Sequence, residues 1–355
     1  MSLVATGKNV HTGGMVGRAY ALPHISIENC INSGEISVLA QQGWAAAGGM
    51  VGSFMTVAPA SSMAWSSLDS ATYVIKNCEN TGKIYGLDAG GIVGAGIQLC
   101  TGGVSITIEN CMNAGVIYAN SNAGGIIGAT ALYSMDYGAD YGNIKIKNCL
   151  NAGFIKGLNM SAGIVGYLNS KNENAAEVSE ISNCVNLAEI GNGYLGEVYN
   201  KISAAGIVGQ IDRPVTVKNC VNMGKINGST INPKGLAPIV SDNGKTVTAS
   251  GNVCVDDYGV AEAYATKKSS ADIVAGVANS GIALSDKSLM DAYDGVRDLK
   301  GEDYTEESWN ALVAACEDSF VLYEKVGIIT KKEIEDAAKK IADATKALVP
   351  FVTAE

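Results

Sequence analysis

The chain has 355 residues, 43 of them Gly, with 17% charged and 6% aromatic residues, 6 Pro and 2 His. A hydrophobic fraction of 47% excludes a disordered chain, and this much Gly with so little Pro and no Gly-X-Y period excludes collagen. The net charge of −10 without a Lys/Arg stripe argues against nucleic acid as a partner, and two His leave almost no room for His-based catalysis.

No apolar run approaches the ~18–20 residues of a membrane span, so no membrane insertion is expected. Residues 7–17 look like only the last third of a repeat, and more coils or a cap are expected before them in a longer chain. The repeat itself is marked by Asn29-Cys30, Asn77-Cys78, Asn110-Cys111, Asn148-Cys149, Asn183-Cys184 and Asn219-Cys220. Asn252-Val253-Cys254 reads as a degenerate seventh copy. Two residues after each intact Cys stands another Asn: Asn32, Asn80, Asn113, Asn151, Asn186 or Asn222. A Gly or Ala and then Ile follow at the same two-residue steps. A third block reads Gly-Gly-Ile-Val-Gly at 90–94, with close variants in the other copies.

The first segment, Ile-x-Ile-x-Asn-Cys, alternates apolar and polar like a half-buried strand. All three segments are too short and too Gly-rich for helices. The repeat therefore predicts three strands per coil, stacked into a right-handed parallel β-helix of about six or seven coils over residues 1–285. The fold class is mainly β. Stacking would align Asn29, Asn77, Asn110, Asn148, Asn183 and Asn219 into a corner ladder. It would also align Cys30, Cys78, Cys111, Cys149, Cys184, Cys220 and Cys254 into one inward column. That fixed position favours buried thiols over disulfides, and no Cys-x-x-Cys pair suggests a metal.

Connections at 53–72, 95–105, 129–143, 167–178 and 210–214 emerge at one corner, and those at 37–47 and 191–204 at another. The first edge carries Trp65, Tyr133, Tyr137, Tyr141 and Tyr167. The second carries Trp44, Tyr194 and Tyr199. Trp and Tyr present rigid faces to sugars, whereas the alternative is that they cover strand ends. Of these, Trp44, Trp65, Tyr133, Tyr137, Tyr141 and Tyr167 are the candidate ligand contacts. Asp136, Asp140 and Asn143 offer hard oxygen ligands for calcium, against the alternative of a polar turn-rich loop. No other cofactor is expected. The outward positions Glu28, Lys76, Glu109, Lys147, Ser182 and Lys218 alternate in sign. That suggests cross-strand ion pairs rather than paired catalytic carboxylates, so no catalytic residue is assigned.

Residues 286–355 carry 25 charged residues and only three Gly. Three helices are expected there as a small bundle. Leu289, Ala292, Tyr293 and Val296 give the first its apolar face. Thr305 caps the second, with Trp309, Leu312, Val313 and Cys316 in its core stripe. Thr330 to Glu333 forms a capping box for the third, which ends before Pro350.

The Asn-Cys, Asn-x-Gly-x-Ile and Gly-Gly-Ile-Val-Gly blocks over residues 7–260 resemble the GLUG-type repeats of large Gram-positive surface proteins. Similar repeats accompany immunoglobulin A-cleaving metallopeptidases, but their His-Glu-x-x-His motif has no counterpart around His11 or His24. Residues 286–350 resemble a FIVAR module through Tyr304 to Trp309, Leu312 and Thr330 to Leu348. These resemblances imply an extracellular, cell wall-associated location beside neighbouring domains of a longer chain. They imply a non-catalytic module for adhesion, for binding glycans or glycoproteins of host or microbial surfaces, or for use as a stalk. A polysaccharide lyase or hydrolase, or its accessory region, is the first alternative. A purely structural spacer is the second.

Overall fold

A computed structural model describes residues 2–6, 10–20, 22–39, 45–55, 71–96, 104–130, 143–168, 178–192, 203–227, 236–255, 264–270, 272–273, 292, 295–296, 299–324 and 331–351. The chain divides into two compact units, 1–268 and 269–355. The first is a parallel β-helix. Among the described residues, no helix is long and apolar enough to cross a membrane.

Each turn carries five short strands rather than the three expected. In one turn they are Ala71–Lys76, Glu79–Asn80, Ile84–Gly86, Asp88–Gly90 and Val93–Ala95. We name the sheets A to E in the order the chain first visits them. Sheet A holds Ile84–Gly86, B Asp88–Gly90, C Val93–Ala95, D Ala71–Lys76 and E Glu79–Asn80. The sheets have six to eight strands. The extra corners have local causes. The Asn-x-Gly-x-Ile block bends at its Gly, separating Asn80 in sheet E from Ile84 in sheet A. The Gly-Gly-Ile-Val-Gly block bends at Gly91-Ile92, so its ends belong to sheets B and C.

Counted from the Asn-Cys strand, five turns are complete: 24–55, 71–95, 104–129, 143–168 and 179–211. Partial turns lie at both ends, and the expected six or seven coils included these. Register is strict: Ile75, Ile108, Ile146, Ile181 and Val217 form one column. A one-residue slip would turn every such side chain outward.

The six Asn of the Asn-Cys corners all have φ between 51° and 56°. Asn tolerates this left-handed backbone better than other non-Gly residues. Their amides form the expected ladder, with Asn77 Nδ2 donating to Asn29 Oδ1 at 3.0 Å and Asn110 Nδ2 to Asn77 Oδ1 at 3.2 Å. A second ladder is buried. Asn80 Nδ2 donates to Asn113 Oδ1, Asn113 to Asn151 and Asn151 to Asn186, each at 2.8 Å. The two ladders run in opposite directions: the outer amides donate toward the first turn and the inner ones away from it.

The seventh Asn-x-Cys copy does not continue the Cys column. Lys218 pairs with Ser250 and Val221 with Val253, so Gly251, Asn252 and Cys254 align with Asn219, Cys220 and Asn222. Gly251 (φ 68°) takes the left-handed corner. Asn252 fills the Cys position and accepts the Cys220 N–H at 2.9 Å. The column thus holds six Cys, and Cys254 is buried at the foot of the inner Asn ladder.

The cross-section has two lobes. Sheets C, D and E enclose one core, containing Tyr73 stacked on Phe54, the Ile columns of sheet D and the thiols. Sheets A and B enclose another, built from Ile36, Ile84, Ile117, Ile155 and Ile190 against Ala47, Ala89, Ala123 and Ala204. Sheets B and C lie back to back. A Cβ on Gly94 would sit 2.5 Å from the Ala47 carbonyl oxygen, so only Gly allows this approach.

In unit 2, where three helices were expected, two are described along their length, α1 (Glu306–Glu324) and α2 (Lys331–Lys346). Most of the expected first helix, including Leu289 and Tyr293, lies outside the described residues. Ala292, which is helical, and Val296, both of its expected apolar face, pack with Leu299 on the cluster of Leu312, Ala337, Ala338 and Ile341. Leu299 precedes a short 3-10 turn, Gly301–Asp303, and Tyr304 beyond it pairs with Pro350. Among the described residues just before α1, 295–296 are turn and 299–305 are 3-10 and extended backbone, whereas Ala292 is helical.

Candidate functional site

An aromatic strip runs along the outer face of sheet A. It is built from residues flanking the buried Ile of each Asn-x-Gly-x-Ile block. Tyr85 and Tyr118 stand opposite each other on neighbouring rungs, and Lys156 stands opposite Tyr118 on the next. Phe154, two residues before Lys156, meets Tyr118 edge-on with ring centroids 6.0 Å apart. Tyr118 is 41% exposed although the neighbouring Ile117 is wholly buried. The half-buried Tyr85 donates its hydroxyl to Asn120 Oδ1 at 3.1 Å, which fixes the ring.

The connections around this strip are uneven. On its three rungs the A-to-B corner is short, running from Gly86 to Asp88, Ala119 to Ala123 and Gly157 to Met160. On the rung before and the rung after, longer connections leave the same corner, from Val38 to Ala46 and from Asn192 to Ser203. The strip therefore lies between two insertions at one edge.

At the other side of that corner, the back-to-back sheets B and C form a polar seam. Asp88 is buried there, with Asn122 Nδ2 donating to its Oδ1 at 2.8 Å and the Asn122 N–H at 3.3 Å. Burial pushes its carboxyl up to about 7, and the Asn122 donors restrain the rise. His11 occupies the same column two rungs away, beyond Ala46. Burial and the charge of Arg18 bring its imidazole down to about 4. Farther along the seam, Ser203 donates to Gln210 Oε1 at 3.2 Å, and Gln210 donates to Asp212 Oδ1 at 3.4 Å. Tyr167 donates its hydroxyl to the other Asp212 oxygen.

Asp88 gives a pH prediction. Its folded value lies above the unfolded value of about 4, so its contribution is complete below pH 4 and is lost as pH rises toward 7. Asp88→Asn keeps an oxygen that can accept from Asn122 and replaces the titrating carboxyl with a neutral amide. Its unfolding midpoint should not show this decline and should exceed that of the parent above pH 7. Parallel pH profiles for both proteins would refute the assignment.

Of the six candidate ligand contacts, only Tyr167 falls in the described residues, and it is engaged with Asp212. Trp44, Trp65, Tyr133, Tyr137 and Tyr141 lie outside them. So do Asp136 and Asp140 of the calcium candidate. Asn143 starts the sheet-D strand Asn143–Lys147, and its Oδ1 accepts from Arg213 Nη2 at 3.5 Å. On the outer face of sheet D, Lys76 pairs with Glu109 at 3.4 Å and Lys218 with Glu180 at 3.1 Å. Sequence reasoning missed Tyr85, Tyr118 and Phe154 because it sought aromatics in the insertions. The signal that could have found them was an aromatic next to the repeat's inward Ile on successive copies.

No protein-family model matches the sequence, and neither a search of curated proteins nor one of solved structures finds a similar chain. The GLUG-type and FIVAR-like resemblances rest on their motif residues alone.

Proposed function

We propose that the β-helix is a non-catalytic glycan-binding module of an extracellular, cell wall-associated bacterial protein. On this reading unit 1 is a GLUG-type repeat region, and unit 2 is a FIVAR-like module toward neighbouring domains. The observation that carries the proposal is the strip of Tyr85, Tyr118 and Phe154 between two insertions. Sugar rings present apolar C–H faces, and exposed aromatic rings stack on these while hydroxyls and Lys156 meet the polar edges. The rings are held by rungs about 4.8 Å apart, so little ordering cost falls on binding.

A glycan array of host and microbial polysaccharides, run with and without calcium, tests the reading. Tyr118→Ala should weaken any observed binding about tenfold, the order expected from losing one stacking contact of ~1.5 kcal/mol. Its thermal midpoint should change little, because the ring lies outside both cores. Binding to no glycan would refute the function. Undiminished binding by Tyr118→Ala would refute the site.

A further inference from the structure

The aromatic strip carries charge of one sign. On the outer face of sheet A, the residues on either side of each buried Ile point outward. Its three rungs therefore present Lys83 with Tyr85, Val116 with Tyr118, and Phe154 with Lys156. The register sets these six side chains in two columns of three. Lys83, which is exposed, and Lys156, which is half-buried, stand at diagonally opposite corners. They are about 10 Å apart along the stack and about 7 Å apart across it.

No Asp or Glu stands on these three rungs of sheet A. Glu79, on the first of the three turns, belongs to sheet E, beyond the corner at Gly82. The acids of the face lie on the rungs outside, Glu35 opposite Lys83 and Glu189 opposite Phe154. Glu35 Oε1 accepts from the Ser37 hydroxyl at 3.3 Å. Gly191, opposite Lys156, supplies no side chain to pair with it. Among the described residues neither lysine forms a salt bridge, whereas on sheet D Lys76 and Lys218 are paired with Glu109 and Glu180. The chain has a net charge of −10, so this face runs against the overall balance. An ammonium that no fixed carboxylate neutralises keeps its full attraction for an incoming anion.

We propose that the strip selects an acidic glycan, with Lys83 and Lys156 as its specificity-determining residues. Sugar rings stack on Tyr85, Tyr118 and Phe154 while carboxylate or sulfate groups meet the two ammonium groups. Lys acts as a point charge and not as a bidentate fork, so charge is what it recognises in either anion. The proposal rests on the glycan-binding reading and specifies its ligand class.

The test titrates the full chain with two matched pairs of polymers. Hyaluronan, which carries carboxylates, is compared with its carboxyl-reduced form, and dextran sulfate with uncharged dextran. In at least one pair the acidic polymer should bind more than fivefold tighter, and added salt should shrink the difference. Preference in the first pair identifies carboxylate as the group recognised, and in the second sulfate. Lys83→Gln and Lys156→Gln should each reduce the preference about two- to fivefold, and Lys156→Arg should retain it. Lys145→Gln removes the same charge from the outer face of sheet D and should leave the preference intact. An equal reduction by Lys145→Gln would assign the preference to overall charge and overturn the proposal. Neutral and acidic polymers bound equally, or array binding confined to neutral glycans, would overturn acid selection and leave the glycan reading standing. Binding to no glycan at all would overturn both.

Discussion

Gly125→Ala should destabilise the β-helix by about 3 kcal/mol or more, read as a drop in its chemical denaturation midpoint. The new methyl would lie 2.5 Å from Asn151 Cγ and 2.6 Å from Asn151 Oδ1, and closer still to the Gly163 carbonyl oxygen. None of these atoms can yield alone. Gly125 N donates to Ala162 O at 3.1 Å, which fixes the corner to the next rung. Asn151 is held by its own ladder, donating to Asn186 at 2.8 Å and to Gly153 O at 3.0 Å. Relief would require separating rungs, which costs hydrogen bonds in several sheets. Gly244 is the matched control. It has φ of 75° and nothing within 4 Å of the position its Cβ would take. Gly244→Ala should cost only the left-handed backbone penalty of about 1–2 kcal/mol. Equal losses at the two positions would disprove the close-approach account.

The repeat was legible because stacking demands the same residue at the same place in every turn. The Asn, Cys and Ile positions recur at fixed steps, so the columns are visible in the sequence itself. Corners were harder to read. Gly91 and Ile92 look like the middle of a strand, but the chain turns there to place sheets B and C back to back. That contact is long-range, so a single Gly-Gly-Ile-Val-Gly segment does not encode it alone. The last Cys misled for a related reason. Asn252-Val253-Cys254 preserves the residue types, yet Gly251 supplies the left-handed corner and shifts Cys254 to the Asn222 position. Register is decided by backbone geometry at the corner and not by the nearest familiar side chain. The aromatic strip was missed because Tyr85 and Tyr118 occupy variable positions of the motif. Their proximity arises only when the rungs pair, and Phe154 joins them from a different motif position.

The two Asn ladders should differ sharply in what they contribute. Asn113→Ala should cost about 3 kcal/mol, and Asn110→Ala about 1–2 kcal/mol, in the same denaturation experiment. Asn113 is wholly buried. It accepts from Asn80 Nδ2 at 2.8 Å, and donates to Asn151 Oδ1 at 2.8 Å and Gly115 O at 3.0 Å. Truncation leaves the Asn151 oxygen and one Asn80 N–H inside without that partner, and water cannot easily replace it. The cavity would also face Gly91, whose added Cβ would lie 2.6 Å from Asn113 Cβ. Asn110 loses less. Its ladder is partly open to solvent, with Asn148 Nδ2 donating to its Oδ1 at 3.1 Å, and water can take over those bonds. What Ala cannot supply there is tolerance of φ 55°. Asn110→Gly should therefore recover most of the loss at 110, whereas Asn113→Gly should recover none at 113. Rescue by Gly at both positions would mean that backbone conformation, and not the buried amide chain, holds the inner ladder together.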